Sequence, residues 1–229
     1  MPQDSTWHLL RCGGRTAAEN MAVDEVLLEL APTIGRPLLR FYSWSEGAAS
    51  FGYSQRFSEV ARLTPLRPLV RRPTGGGLVP HDADWTYSLV FPPSASWHSL
   101  KATESYQRVH IWVQSAFEGI NISAELASSS RKEAPGQCFA GAEQFDVLWK
   151  NRKVAGAAQR RTRNGLLIQG SIQPPPGVVR SDWERAFCDV AQKTWGVVWE
   201  SLQLPPKAEQ MIQKRARDKF GTVEFTERR

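Results

Sequence analysis

The segment that decides the fold is residues 16–44, which read TAAENMAVDEVLLELAPTIGRPLLRFYSW. Its first part predicts a helix, because Thr16 and Glu19 form a capping box and apolar residues follow at helical spacing. These apolar residues are Val23, Val26, Leu27 and Leu30. Its last part, residues 38–44, is an apolar and aromatic run typical of a strand. A helix with one apolar face next to a strand predicts a sheet that this helix covers.

The rest of the chain continues this pattern of short strands and amphipathic helices. Runs rich in branched and aromatic residues predict strands at 38–44, 48–53, 68–72 and 85–91 in one sheet, and a meander at 145–149, 153–159 and 166–172. Further helices are expected at 103–119, from a capping box at 181–184, and at 207–220. Because the helices do not alternate with single strands, the predicted class is α+β, with a central mixed, largely antiparallel sheet flanked by helices.

Composition narrows the class of protein further. The 229 residues are 41% hydrophobic and carry a net charge of +6, which predicts one globular domain over 1–229, with 178–229 as a C-terminal helical appendage. No stretch reaches the roughly 20 apolar residues of a membrane span, and no leader is evident, so a cytoplasmic location without membrane association is expected. The three cysteines are far apart and the four histidines scattered, so we expect neither disulfides nor a metal site.

A glycine-rich loop at residues 70–82 is the most unusual segment. Three consecutive glycines, Gly75 to Gly77, would let backbone N–H groups approach a phosphate or carboxamide closely, with Arg71 and Arg72 as cationic partners. The alternative is a flexible turn, and the loop matches neither of the usual phosphate-binding templates. The residues alone leave both interpretations open.

The segment 150–163 holds six basic residues and no acidic one. Within it, Lys153 is followed by small residues that leave room for a substrate, so its ammonium group could donate to a carbonyl or phosphate oxygen. The alternative is a solvated basic strand edge, which would discourage pairing with other strands.

Of the three cysteines, Cys138 lies in a loop bounded by Gly and Pro, whereas Cys188 lies on a predicted helix beside apolar residues. A loop thiol next to a cation can act as a nucleophile. For a lone cysteine the structural interpretation is the usual one, and it applies to Cys12 and Cys188.

Taken together, these segments resemble the lipoate and octanoate protein ligase/transferase family, which shares its catalytic fold with biotin protein ligases. The resemblance is carried, in family order, by residues 18–25, 40–44, 50–55, 71–82, 86–88, 152–159 and 169–172. It implies a biotin/lipoate protein ligase-like catalytic domain in which the acyl chain occupies a tunnel beside the glycine loop. The substrate-binding residues it implies are Arg71, Arg72, Thr74, Gly75, Gly76, Gly77, His81, Ala155, Gly156 and Gly170.

The same resemblance implies the catalytic residues. Lys153 would reach the acyl carbonyl or acyl phosphate. The transferase branch has a Cys-Phe pair ahead of this lysine, and Cys138-Phe139 lies 15 positions before Lys153, which makes Cys138 the expected nucleophile. The chain departs from the family in three places: residues 140–143 differ from the transferase pattern, Gly77 is typical of the ligases, and Gln169 replaces a histidine.

The leading hypothesis is a transferase that moves an octanoyl or lipoyl group from a carrier protein, through a Cys138 thioester, to a lysine of a lipoyl domain in a dehydrogenase complex or glycine cleavage protein, without a cofactor. The alternative is a lipoate-protein ligase that takes free lipoate or octanoate and needs ATP and Mg²⁺. A non-catalytic basic protein that binds nucleic acid is the last alternative. We expect no nucleic acid partner, because acidic carrier and lipoyl domains explain a basic surface more simply.

Overall fold

The computed structural model describes residues 5–131, 139 and 141–228, and strands and helices follow each other irregularly along these residues. The strands are β1 (Thr6–Arg15), β2 (Leu38–Trp44), β3 (Ala48–Phe51), β4 (Leu69–Arg71), β5 (Val79–His81), β6 (Trp85–Phe91), β7 (Glu125–Leu126), β8 (Val147–Trp149), β9 (Arg152–Thr162), β10 (Gly165–Ile172) and β11 (Val198–Ser201). The helices are α1 (Ala17–Ile34), α2 (Phe57–Leu63), α3 (Ser96–Ser99), α4 (Ala102–Glu118), α5 (Arg180–Trp195), α6 (Pro206–Arg215) and α7 (Val223–Glu227), with a π-helical segment at Ala216–Phe220.

The strands form two sheets. The main sheet has the order β11-β1-β2-β6-β10-β9-β8-β7, in which β1 runs parallel to β11 and to β2 and every other pair is antiparallel. A small second sheet has the order β4-β3-β5. The predicted mixed, largely antiparallel sheet flanked by helices is therefore confirmed.

Helices cover both faces of the main sheet. On one face, α1 packs with α6 against side chains such as Leu38, Val90 and Leu167. On the other, α4 and α5 bury Trp112, Trp183 and Phe187 against the alternate strand residues, which include Leu39, Leu89, Leu166 and Ile168. Because both faces are covered, all eight residues of β10 are buried.

Helix α1 begins as the sequence predicted. The Thr16 hydroxyl accepts from the Glu19 N–H, and the Glu19 carboxylate accepts from the Thr16 N–H, which completes the capping box. The predicted capping box at 181–184 is wrong, because α5 already begins at Arg180 after Val179, whose side chain cannot cap. The predicted helix at 207–220 is α6 followed by the π-helical segment.

The prediction of one sheet for the first four strands is also wrong. β2 and β6 pair with each other in the main sheet, whereas β3 and β4 belong to the second sheet with β5. Strands β1 and β11 were not predicted. Residues 178–229, predicted as a helical appendage, hold α5, α6 and α7, but also β11 at the edge of the main sheet.

Candidate active site

A cavity opens where the small sheet meets the main sheet, and we call it the inner cavity. Its walls come from α1, β2, β3, the glycine loop, β5, β9 and β10, and the space between them, mouth included, is about 450 Å³. The wall is largely apolar, with Met21, Trp44, Val79 and Ala157 among its residues. Such a narrow, apolar space suits an aliphatic chain better than a polar ligand.

Lys153 lies beside this cavity, at the start of β9. Its ammonium group forms an ion pair of 2.7 Å with Asp146, and the two side chains are 4% and 0% exposed. A β-carbon placed on Gly156 would come within 2.9 Å of the Lys153 nitrogen, so the glycine makes room for the lysine at the cavity wall. Phe139 also lies next to this lysine, with its ring centroid 5.2 Å from the same nitrogen.

The Asp146 carboxylate is held by its own loop and by α4. It accepts from the Glu143 N–H at 2.6 Å and from the Tyr106 hydroxyl. Phe145, directly before it, has a φ of 73°, an unfavourable conformation for a bulky residue. Such strain is typical of functional sites, and here it places a carboxylate under the lysine. The buried anion favours the charged form of Lys153.

His110 packs behind this ion pair. Its ring lies 4.2 Å from the Tyr106 ring, and its Nδ1 atom lies 2.9 Å from the Tyr106 carbonyl. Burial lowers the pKa of His110 to about 4, although Asp146 acts in the opposite direction. The imidazole is therefore neutral at pH 7, and Lys153 is the cation of this cluster.

A second polar cluster lines the inner cavity around His81. The His81 Nδ1 atom lies 2.8 Å from Asp84, and its Nε2 atom lies 2.8 Å from the Ser50 hydroxyl. Ser171 donates to the same Asp84 oxygen at 2.6 Å, and Trp44 stacks on the His81 ring at 3.8 Å. These contacts fix the imidazole ring between the Asp84 carboxylate and the Ser50 hydroxyl.

The glycine loop is fixed by two arginines with different partners. Arg72 lines the cavity and donates to the carbonyls of Gly75 and Gly77 at 2.6 and 2.7 Å, which folds the loop around its guanidinium group. Arg71 points away from the cavity and is fully buried. It donates to the carbonyls of Tyr53, Gln55, Phe225 and Thr226 and so ties the loop to α7.

A buried network joins the loop to α1. Gln169 accepts from the Thr74 hydroxyl and donates to Asp24, both at 2.7 Å. Asp24 forms an ion pair of 2.7 Å with Arg40, and both side chains are 0% exposed. Gln169 thus connects the loop to a fully buried ion pair. Arg40 also donates to the Cys12 sulfur at 3.4 Å.

The structure brings together about half of the predicted site residues. Arg72, Gly76, His81, Gly156 and Gly170 line the inner cavity, and Lys153 stands beside it. Thr74, Gly75 and Gly77 support the loop, while Arg71 and Ala155 are buried outside the cavity wall. Gly170 has a packing role as well, because a β-carbon there would lie 2.1 Å from the Tyr87 ring. Cys138 lies outside the described residues.

Sequence reasoning missed Asp146 and the partners of His81. Asp146 carried a weak signal, since it is the single acid in the run Phe145–Trp149 that was predicted as a strand, and a charge within an apolar strand needs a partner. Ser50, Asp84 and Ser171 carried none, because they come from three separate segments.

Within the described part of the chain, no group of three His, Cys, Asp or Glu side chains is placed to hold a metal ion. Nor does any helix there have the length and apolar character needed to cross a membrane. Cys188 is buried on α5, and burial raises the pKa of its thiol to about 12, so it is an inert packing residue as predicted.

These features define a site in which a narrow, largely apolar cavity ends beside a buried lysine–aspartate ion pair. The matching family is the lipoyl protein ligase A/B catalytic domain, whose profile matches residues 16–173. The chain therefore belongs to this family, as its sequence motifs indicated.

Relatives resemble this chain in sequence, and solved structures resemble it in fold alone. Octanoyltransferase LipM of Exiguobacterium sp. is 34% identical over 181 residues, covering 73% of this chain and 66% of that protein, and octanoyltransferase LipM of Bacillus subtilis is 30% identical over 187 residues, covering 74% and 66%. The chain thus spans about two thirds of the length of these relatives.

Among solved structures, a lipoate-protein ligase A bound with ATP has a TM-score of 0.76 at 18% identity, covering 97% of this chain and 98% of that one. The bipartite lipoate protein ligase of Thermoplasma acidophilum has a TM-score of 0.75 at 17% identity, covering 97% and 96%.

Proposed function

We propose that this protein is an acyltransferase that moves an octanoyl group from a carrier protein to a lysine of a lipoyl domain, through a thioester on Cys138. The observation that carries the proposal is Lys153, a buried cation held by Asp146 at the wall of an apolar cavity. The relatives' shared name, octanoyltransferase, favours this chemistry over the ATP-dependent ligase.

The reaction proceeds in two steps. The Cys138 thiolate attacks the donor thioester carbonyl, a new C–S bond forms, the old one breaks, and the carrier leaves as a thiol after taking a proton. The acceptor lysine, as a neutral amine, then attacks the Cys138 thioester, a C–N bond forms, and the thiolate is released while the amine loses a proton. Lys153 stabilises the oxyanion in both steps, and its charge favours the thiolate form of Cys138.

The inner cavity holds the alkyl chain during both steps. Its apolar walls exclude water from the chain, while the carbonyl carbon stays at the lysine end, beside Gly156 and Phe139. Phe139, which follows Cys138 in the sequence, contacts Lys153 with its ring. No cofactor is needed for this reaction, whereas a ligase would consume ATP with Mg²⁺.

The test is to incubate the protein with octanoyl carrier protein in the absence of ATP and to weigh it intact. We expect the mass of one octanoyl group to be added to the wild type and to the Cys12→Ser and Cys188→Ser variants, and not to Cys138→Ser. Cys138→Ser should also lose nearly all transfer to a lipoyl domain, because a serine hydroxyl without an adjacent base is a weak nucleophile. Retention of ATP-dependent transfer of lipoate by Cys138→Ser would instead establish the ligase.

A further inference from the structure

The second step of the proposed reaction releases a proton that the residues assigned so far cannot accept. The attacking amine carries this proton when the C–N bond forms, and it must lose the proton to become an amide. Lys153 already bears its own proton, because its buried ion pair with Asp146, 2.7 Å long, holds it as a cation. The proposed function therefore lacks a base.

His81 is the base that the inner cavity offers. Among the described residues that line this cavity, it is the only one whose side chain exchanges protons near neutral pH. The other ionisable side chains there are Arg72, a permanent cation, and Tyr42, whose pKa burial raises well above its ordinary value. Neither of them can take a proton from an amine at pH 7.

The register of the main sheet places the His81 cluster beside Lys153. Ser171 of β10 is paired with Gly156 of β9, and paired residues in an antiparallel ladder project their side chains from the same face. On this face, a β-carbon on Gly156 would lie 2.9 Å from the Lys153 nitrogen. The Ser171 hydroxyl, next to it, donates to Asp84. The lysine and the imidazole cluster therefore flank the same part of the cavity.

The contacts of His81 suit a histidine that acts as a base. A neutral imidazole with its proton on Nδ1 satisfies the Asp84 carboxylate at 2.8 Å and leaves Nε2 to accept from the Ser50 hydroxyl, also at 2.8 Å. The Ser50 oxygen lies 3.3 Å from a guanidinium nitrogen of Arg72, which can only donate. This contact leaves the hydroxyl proton available for Nε2. A nucleophile or relay, a base and a carboxylate in this order form a proton-transfer chain.

We propose that His81 is the general base of the second step and that it receives the proton of the acceptor lysine through the Ser50 hydroxyl. The inference rests on the proposed function. As the amine nitrogen bonds to the thioester carbonyl, one of its protons moves to the Ser50 oxygen while the hydroxyl proton moves to His81 Nε2. The C–S bond then breaks, the Cys138 thiolate leaves, and the imidazolium releases its proton to water. Asp84 is a positioning residue that holds the ring and stabilises the imidazolium.

The experiment measures the two steps separately. Octanoyl-enzyme is formed from octanoyl carrier protein, weighed intact, and mixed with a lipoyl domain in a single turnover. We expect His81→Gln to form octanoyl-enzyme at nearly the wild-type rate, because Lys153 keeps the attacking thiol ionised, but to transfer the octanoyl group about 10² to 10⁴ times more slowly. Asp84→Asn should show the same selective loss. His98→Gln is the matched control and should keep both rates, since His98 bonds to the Thr162 carbonyl outside the cavity.

A second acceptor distinguishes a missing base from a damaged cavity. Hydroxylamine is a weakly basic amine that is neutral at pH 7, and its adduct loses a proton to water without help from the protein. We expect the octanoyl form of His81→Gln to react with hydroxylamine at nearly the wild-type rate.

Transfer to the lipoyl domain by His81→Gln at the wild-type rate would overturn the proposal. An equal loss with both acceptors would also overturn it, because the role of His81 would then be structural. If the wild type forms no octanoyl-enzyme at all, the proposed function itself is wrong.

Discussion

At the scale of single residues, the chemical role proposed for Lys153 is tied to the structural role of its buried ion pair with Asp146. The pair is buried, so removing only the lysine leaves an unpaired carboxylate, which costs roughly 3–5 kcal/mol of stability. Loss of activity in a simple Lys153→Ala variant could therefore reflect unfolding. Both residues must therefore be replaced together, so that the effect on the reaction is measured without a large loss of stability.

We expect the double variant Lys153→Met, Asp146→Asn to remain folded and to lose acyl transfer by a factor of about 10² to 10³. Both replacements are close in size and neutral, while the oxyanion loses its fixed cation. Thermal unfolding and the rate of transfer to a lipoyl domain are measured on the same preparation. Turnover near the wild-type rate in the folded double variant would show that Lys153 does not take part in the reaction.

A second residue-scale prediction concerns Gly52, which the glycine loop crosses at close range. A β-carbon on Gly52 would lie 1.9 Å from the Gly76 carbonyl oxygen, so Gly52→Ala must displace the loop. Gly75→Ala is the matched control within the loop, because a β-carbon there meets nothing within 4 Å. We expect Gly52→Ala to raise the KM for the acyl donor at least 10-fold, and Gly75→Ala to leave it near the wild-type value. An unchanged KM in Gly52→Ala would show that the loop does not shape the donor site.

At the scale of elements, α4 carries the buried imidazole of His110 near the Lys153–Asp146 ion pair, and this makes stability depend on pH. The pKa of His110 is about 4 in the folded protein against an ordinary value of 6.5, so the unfolded chain binds the proton more readily between these pH values. The free energy of unfolding therefore rises with pH across this window and falls as the pH is lowered from about 6.5 to 4. The slope from this group is at most about 1.4 kcal/mol per pH unit.

Urea unfolding at pH 7 and pH 5 measures this effect. Replacing His110 with Phe removes the titrating group while keeping an aromatic ring beside Tyr106. We expect the wild type to lose about 1–2 kcal/mol more than His110→Phe between the two pH values. Equal losses in the two proteins would mean that His110 titrates normally and is accessible to water.

The helices and strands also show how much of the fold the sequence could predict. The main helices and the strands β2, β6 and β10 were predicted within a few residues, because their apolar spacing reports local burial. Sheet membership was not, since it depends on which strands pair across long distances in the sequence, and local composition does not record that pairing. β1 was missed because Cys12, Gly13 and Gly14 interrupt its apolar pattern. β11 was missed because it is only four residues long and ends in the exposed residues Glu200 and Ser201.

The candidate site follows the same rule. Lys153 and the glycine loop were found because their motifs are contiguous and resemble those of a known family. The places of Asp146, Ser50 and Asp84 in the site depend on strand register and on which loops meet, and no local sequence pattern records either.

At the scale of the whole molecule, the end of the described chain returns to the glycine loop. Arg71 donates to the carbonyls of Phe225 and Thr226 on α7, and Phe225 packs against Phe220 at 5.3 Å. Arg71 directly precedes Arg72, which folds the glycine loop. The last helix is therefore in a position to control the shape of the acyl site, although it lies outside the cavity wall.

Truncation after Gly221 tests this connection. It removes the two carbonyls that Arg71 needs but leaves the helices α1, α4 and α5 that form the two main cores intact. We expect the KM for the acyl donor to rise at least 10-fold while the cooperative unfolding transition is retained, because a displaced loop affects binding more than the distant core. Truncation after Glu227 is the control, since it keeps both carbonyls. If both truncated proteins bind the donor as the wild type does, α7 contributes to stability alone and Arg71 has no role in shaping the loop.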